Sequence, residues 1–191
     1  MKNCYLYIYA NLKPNAWLPN AEEDLNKSNM NLPFDIEMMT KDDLDEVTAI
    51  ENSCFNQPWT LQSFKTDLQY NRLAYYLVAR HDGKIVGYIG AWIVLDEAHI
   101  TTLAVDHDYR CHGVASCLIQ ALIDEGARRG VTSLTLEVRP SNKVARSFYK
   151  KWGFTVRGRR KRYYTDEDAL IMSRTEAPRA AGAAATEIES Q

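Results

Sequence analysis

The 191-residue chain contains no apolar run near the roughly 18 residues that would mark a membrane-spanning helix, so no membrane partner is expected. Its four cysteines (Cys4, Cys54, Cys111 and Cys117) form no C-x-x-C pair. That spacing argues against a zinc ribbon or a dense disulfide framework and fits a reducing, cytoplasmic setting. Charge of one sign is also lacking. With 23 Lys+Arg against 25 Asp+Glu the net charge is −2, which gives no electrostatic reason to expect DNA or other nucleic acid as the main partner. The four histidines (His81, His99, His107 and His112) are scattered with no H-E-x-x-H spacing, so no metal site is expected. No Gly-Lys-Ser/Thr triplet closes a P-loop, and no third glycine completes a dinucleotide fingerprint. The apolar stretch Cys4–Ala10 is preceded by Lys2 alone, a poor basic region for a secretory signal.

What is present is ordinary globular protein: 46% hydrophobic and 25% charged residues, enough for one domain with a sizeable core. Both ends differ from the middle. Residues 1–33 carry three prolines and no sustained period, with Met30 a possible alternative start. Residues 176–191 form a low-complexity, alanine-rich tail expected to stay disordered. The folded unit is expected over residues 34–175.

Within it the apolar period alternates between strand and helix. Asp35–Met39 reads as a strand. Thr40 and Asp43 form a capping pair before a helix bearing Leu44, Val47 and Ile50, and Pro58-Trp59-Thr60 opens a second bearing Leu61, Phe64 and Leu68. Tyr75–Arg80 and Ile85–Leu95 flank an Asp82-Gly83 turn as a hairpin, and Glu97–Val105 is a further strand. Gly113–Arg129 reads as a helix ended by Gly130, Thr132–Arg139 as a strand, and Asn142–Trp152 as a helix ended by Gly153. Strands near Phe154–Tyr163 and Ala169–Ser173 close the unit. The order β-α-α-β-β-β-α-β-α-β-β predicts an α/β (α+β) sandwich around one mixed, mostly antiparallel sheet flanked by helices.

The most informative stretch is Leu103–Cys117, where a strand runs through a polar loop into a helix. Arg110-x-x-Gly113-x-Ala115 sets small residues at the helix entry, so backbone N–H groups and the helix dipole can face a phosphate, with Arg110 available for a charge-assisted contact. Taken alone, the same pattern also suits a helix start that binds nothing.

A second pattern follows in order: Asn142-x-x-Ala145-x-x-x-Tyr149-x-x-x-Gly153-Phe154. Together the two motifs resemble the GNAT acetyltransferase superfamily. Asp96-Glu97-Ala98, Leu103-Ala104-Val105, Leu136–Asn142, Tyr163-Tyr164 and Glu167-Asp168-Ala169 resemble, more narrowly, its RimI-type members, which acetylate the N-terminal alanine of a small-subunit ribosomal protein. The likeness covers about Ile36 to Met172. It implies the GNAT acyl-CoA N-acyltransferase fold with splayed parallel central strands, acetyl-CoA as cosubstrate, and a ribosomal protein N-terminus as acceptor. On the same resemblance, the pyrophosphate would lie on the backbone of Arg110, Cys111, His112, Gly113, Val114 and Ala115. The pantetheine would pair with Leu103, Ala104 and Val105, and Asn142 would hold the cofactor arm. Cys111 and His112 depart from the basic residues common at those positions.

Alternation along Thr132–Arg139 sets Glu137 on a polar strand face, in contact with solvent on that reading alone. The resemblance makes it the general base toward the acceptor amine. Helical spacing with Ala145 and Trp152 makes Tyr149 a core aromatic, and the resemblance makes it the acid that protonates the leaving thiolate. An acyl-cysteine route is not expected, because nothing positions a histidine and a carboxylate around Cys111 or Cys117. The run Arg157–Tyr164 is the one local basic patch, readable as an RNA-contacting strip or as a solvated hairpin arm. By resemblance its Tyr163 and Tyr164 contact the acceptor peptide. Rival readings keep the cofactor and change the acceptor to another protein N-terminus, a lysine or a small amine, or make the chain a non-catalytic acetyl-CoA-binding module.

Overall fold

The computed structural model of the chain describes residues 34–175. The expectations for residues 1–33, for Met30 and for the 176–191 tail lie outside the described residues. Strands β1 (Asp35–Met38), β2 (Ala74–His81), β3 (Lys84–Val94), β4 (Glu97–Val105), β5 (Ser133–Val138), β6 (Thr155–Arg160) and β7 (Ala169–Thr175) form one sheet in the order β1-β2-β3-β4-β5-β7-β6. Helices α1 (Leu44–Cys54), α2 (Leu61–Tyr70), α3 (Val114–Arg128) and α4 (Lys143–Lys151) flank it. Every neighbouring pair is antiparallel except β4 and β5.

Local chemistry accounts for most boundaries. The Asp43 carboxylate accepts from the Thr40 amide (2.7 Å) and hydroxyl (3.0 Å), and a 3-10 turn over Lys41–Asp43 leads into α1. The Thr60 hydroxyl accepts from the Ser63 amide at 3.1 Å and caps α2. Asp82 (φ 50°) and Gly83 (φ 80°) make a two-residue turn whose positive dihedrals match the twist of the β2–β3 hairpin. Gly153 (φ 81°) ends α4 by donating to the Lys150 carbonyl (3.0 Å), while Phe154 donates to that of Tyr149 (3.0 Å). This is a Schellman closure, completed by the Tyr149 and Phe154 rings packed at 5.4 Å.

The last strands differ from expectation. The strand foreseen over Phe154–Tyr163 stops at Arg160, because Arg162 takes a left-handed conformation (φ 52°) and its amide donates to the Asp168 carboxylate at 2.9 Å. Residues 161–168 are therefore a loop, and Tyr163 and Tyr164 are loop residues buried against the sheet.

The core lies on both sheet faces. Successive residues of β3 point opposite ways: Tyr88 packs edge-on against Phe64 of α2 at 5.8 Å, whereas a side chain at Gly87 would meet Val114 and Leu118 of α3. Burying each large aliphatic or aromatic side chain contributes about 1.5–3 kcal/mol. Within this core Glu51 of α1 is 2% exposed, accepting from the Trp59 amide (2.8 Å) and from the Tyr88 hydroxyl, which also lies 3.4 Å from Thr102 Oγ1. Burial raises Glu51 to about 7 against the opposing pull of those two hydrogen bonds.

The feature that makes a site is a fork. β4 and β5 pair only at Glu97↔Ser133, Ala98↔Leu134 and His99↔Thr135, although β4 continues to Val105 and β5 to Val138. Beyond His99 the two strands part. A bulge in β4 helps them do so: Ala91 faces Ile100 and Gly90 faces Thr102, leaving Thr101 as the extra residue.

Candidate active site

Glu137 sits on β5 beside the fork. Far from a solvated strand face, it is 6% exposed. Its two oxygens have different partners: Nε2 of His99 lies 3.1 Å from Oε2, and an Arg160 guanidinium nitrogen 3.2 Å from Oε1. The other imidazole nitrogen of His99 is 3.0 Å from Thr135 Oγ1. Burial alone would raise the Glu137 pKa. The hydrogen bond and charge of His99, followed by those of Arg160, outweigh it and hold the group below the ordinary carboxylate value. The result is an ionised carboxylate, fixed in direction at the edge of a gap.

Tyr149 lies on the inner face of α4, fully buried between Phe148 (5.3 Å) and Phe154 (5.4 Å). Asn142 caps the same helix, accepting from the Ala145 amide at 3.0 Å. Its amide nitrogen is buried without an acceptor among the described residues, as is the hydroxyl of Thr101 at the bulge. An unsatisfied buried polar group costs about 1–3 kcal/mol, so each of these two has hydrogen-bonding capacity left to use.

The loop after Val105 turns through left-handed Cys111 (φ 63°) and Gly113 (φ 89°) into α3. No side chain caps that helix, so its first amides have no acceptor from a capping residue and present the positive end of the dipole. Cys111 and His112 are exposed, and Val114 and Ala115 begin the helix. Arg110 turns inward: its guanidinium lies 3.3 Å from the Val105 carbonyl and 3.4 Å from Cys54 Sγ, bracing the loop against the end of β4. Leu103, Ala104 and Val105 are buried and pair with β3 but have no β5 partner, and at the end of this stretch the Val105 carbonyl accepts from Arg110 and Cys54.

Tyr163 and Tyr164 pack edge-to-face at 5.1 Å. The Arg160 guanidinium stands 4.8 Å from the Tyr163 ring, and that of Arg139 4.0 Å from Tyr164. Arg139 also binds Asp166 (2.6 Å) and Glu167 (3.0 Å), and Ser141 binds Glu167 (2.6 Å), which ties the 161–168 loop to the end of β5. The structure thus brings Glu137 and Tyr163 together through Arg160, and Asn142 and Tyr149 onto one helix. Sequence reading overlooked His99, Arg160 as a carboxylate partner, and Thr101. Only the parallel register of β4 on β5 puts His99 one strand across from Thr135 and beside Glu137.

Residues 44–154 match the family model described as Acetyltransferase (GNAT) family. The chain belongs to the GNAT acetyltransferase family. A Bacillus subtilis (strain 168) relative, provisionally named a ribosomal protein bS18-alanine N-acetyltransferase, is 44% identical over 136 residues, spanning 70% of this chain and 90% of that protein. The crystal structure of the ribosomal-protein-S18-alanine N-acetyltransferase from Escherichia coli superposes with a TM-score of 0.70 at 34% identity, covering 79% of this chain and 97% of that one. A Thermoplasma acidophilum N-acetyltransferase solved with coenzyme A shares the fold at 19% identity (TM-score 0.64, covering 74% and 98%). This GNAT chain is accordingly an N-acetyltransferase of the RimI-like kind. No group of residues able to hold a metal ion occurs among the described residues, and no described helix is long and apolar enough to cross a membrane.

Proposed function

We propose that this acetyltransferase moves the acetyl group of acetyl-CoA to the N-terminal amine of a small-subunit ribosomal protein, an alanine as in the bS18-directed relatives, by direct attack. The observation that carries the reading is the Glu137 carboxylate, buried at the fork and kept ionised by His99 and Arg160. The residues present also suit the cosubstrate. Its diphosphate would meet the uncapped amides from Cys111 to Ala115, its pantetheine the edge of Leu103, Ala104 and Val105 that β5 does not pair, and its amide groups the unsatisfied nitrogen of Asn142.

Acetyl-CoA supplies an activated thioester; the chain supplies positioning and proton transfer. A peptide α-amine has a pKa of about 7.7–8.0, so roughly one molecule in seven is already neutral at pH 7, against fewer than about one in a thousand for a lysine side chain. Glu137 takes the proton that becomes acidic as nitrogen attacks, directly or through one water, and His99 and Arg160 keep its oxygens aimed meanwhile. Tyr149 donates toward sulfur as the C–S bond breaks. A phenol near pKa 10 is a weaker acid than a thiol near 8.5, so this is a hydrogen bond that tightens as charge develops. Tyr163 and Tyr164, held by Arg160 and Arg139, form the wall that the acceptor's first residues would meet.

A panel of peptides differing in first residue, incubated with acetyl-CoA and read by mass spectrometry, tests the proposal. α-Amine acetylation of alanine-initiated ribosomal peptides is expected. Products confined to lysine side chains or non-peptide amines would overturn it.

A further inference from the structure

The near-neutral net charge conceals a sharp segregation. Between Lys143 and Arg162 lie nine of the 23 basic residues and none of the 25 acidic ones, so this stretch carries +9 and the remainder of the chain −11. The basic residues fall on two consecutive elements, α4 and β6 with its continuation, at one end of the sheet. β6 is the terminal strand of the sheet, and α4 leads into it through the Gly153 turn. Lys143, Lys150 and Lys151 are exposed on the outer face of α4, while Arg157, Arg159 and Lys161 are exposed along β6 and its continuation. Only Arg160 of the strand reaches inward to the Glu137 carboxylate.

We propose that this margin docks the enzyme on the phosphate backbone of RNA, so that the acceptor is met on an RNA-bearing particle. A charged edge strand also guards against edge-to-edge aggregation, but a lysine or two suffices for that and would not require the basic face of α4. Arginine dominates β6, and its planar fork suits phosphate oxygens. The margin has exposed Val144 and Val156 but none of the exposed Trp, Phe or Leu side chains that insert at a lipid surface. The acceptor entrance at Tyr163 adjoins the strip through Arg160, so a docked polyanion would lie beside the reacting amine.

The test is fluorescence anisotropy of a labelled single-stranded oligouridine titrated with the full chain over a range of KCl concentrations, without acetyl-CoA or peptide. Because neither substrate is present, its outcome is independent of the acceptor assignment. Binding should weaken linearly in log–log form with salt. The triple variant K151A/R159A/K161A should lower that slope by about 2, from ~0.7 per lost phosphate contact, and weaken binding by at least about tenfold. Acetylation of a free peptide by the same variant should be unchanged. Failure to bind oligouridine, an unchanged slope in the triple variant, or equal displacement by polyglutamate of matched charge would each overturn the proposal, the last pointing to an acidic protein partner.

Discussion

Replacing Glu51 by Gln should flatten the pH dependence of folding stability in the neutral range. The native pKa of Glu51 is about 7 against an ordinary 4.5, with burial the main cause. Between those values the native state holds a proton that the unfolded chain has released, so stability falls as pH rises through this window and levels off above 7. At about 1.4 kcal/mol per pKa unit the loss between pH 5 and pH 8 comes to about 2–3 kcal/mol. Gln keeps the geometry: its oxygen accepts from the Trp59 amide, and its NH2 donates to Tyr88, whose hydroxyl turns to Thr102. Urea unfolding of both proteins at pH 5, 6, 7 and 8 would measure the effect as a midpoint of the variant that moves about 1–2 M relative to the parent across the range. Other groups titrate in both proteins and cancel in the difference. If the two stability profiles run parallel, Glu51 is already ionised in the native state and the reasoning fails.

Glu137→Gln should lower kcat by about 10²–10³, with coenzyme A affinity by calorimetry nearly unchanged; equal loss of both would remove the base role. Arg160→Ala withdraws a charge that keeps Glu137 ionised, so its pKa should rise and the acidic limb of the kcat/KM profile should move to higher pH, an effect absent if that limb belongs to another group. Gly113→Ala meets no atom within 4 Å but forces a side chain onto φ 89°. It should cost about 1–2 kcal/mol in urea unfolding and weaken coenzyme A binding, whereas a neutral result would mean the loop relaxes freely.

The helices and turns were legible because their signals are local. Thr40 with Asp43, the Asp82-Gly83 turn, and Gly153 after Tyr149 each act through hydrogen bonds spanning a few residues, so residue type and spacing suffice. The end of β6 was misread for the complementary reason: alternating side chains continue past Arg160, but the turn depends on Asp168 accepting from Arg162 across the loop.

Sequence alone also pointed to the acetyltransferase family, because its loop and helix motifs are contiguous, and singled out Glu137 and Tyr149 through the likeness. It could not assemble the carboxylate's surroundings. Alternation says which residues of a strand share a face, but not which strand lies alongside or in what register. His99 meets Glu137 only because the crossover through α3 sets β5 parallel to β4, and Arg160 only because β7 pairs between β5 and β6. Glu51 shows the same division: its place on α1 is written in the helical period, whereas its high pKa arises from dry surroundings built by α2, β3 and β4 together.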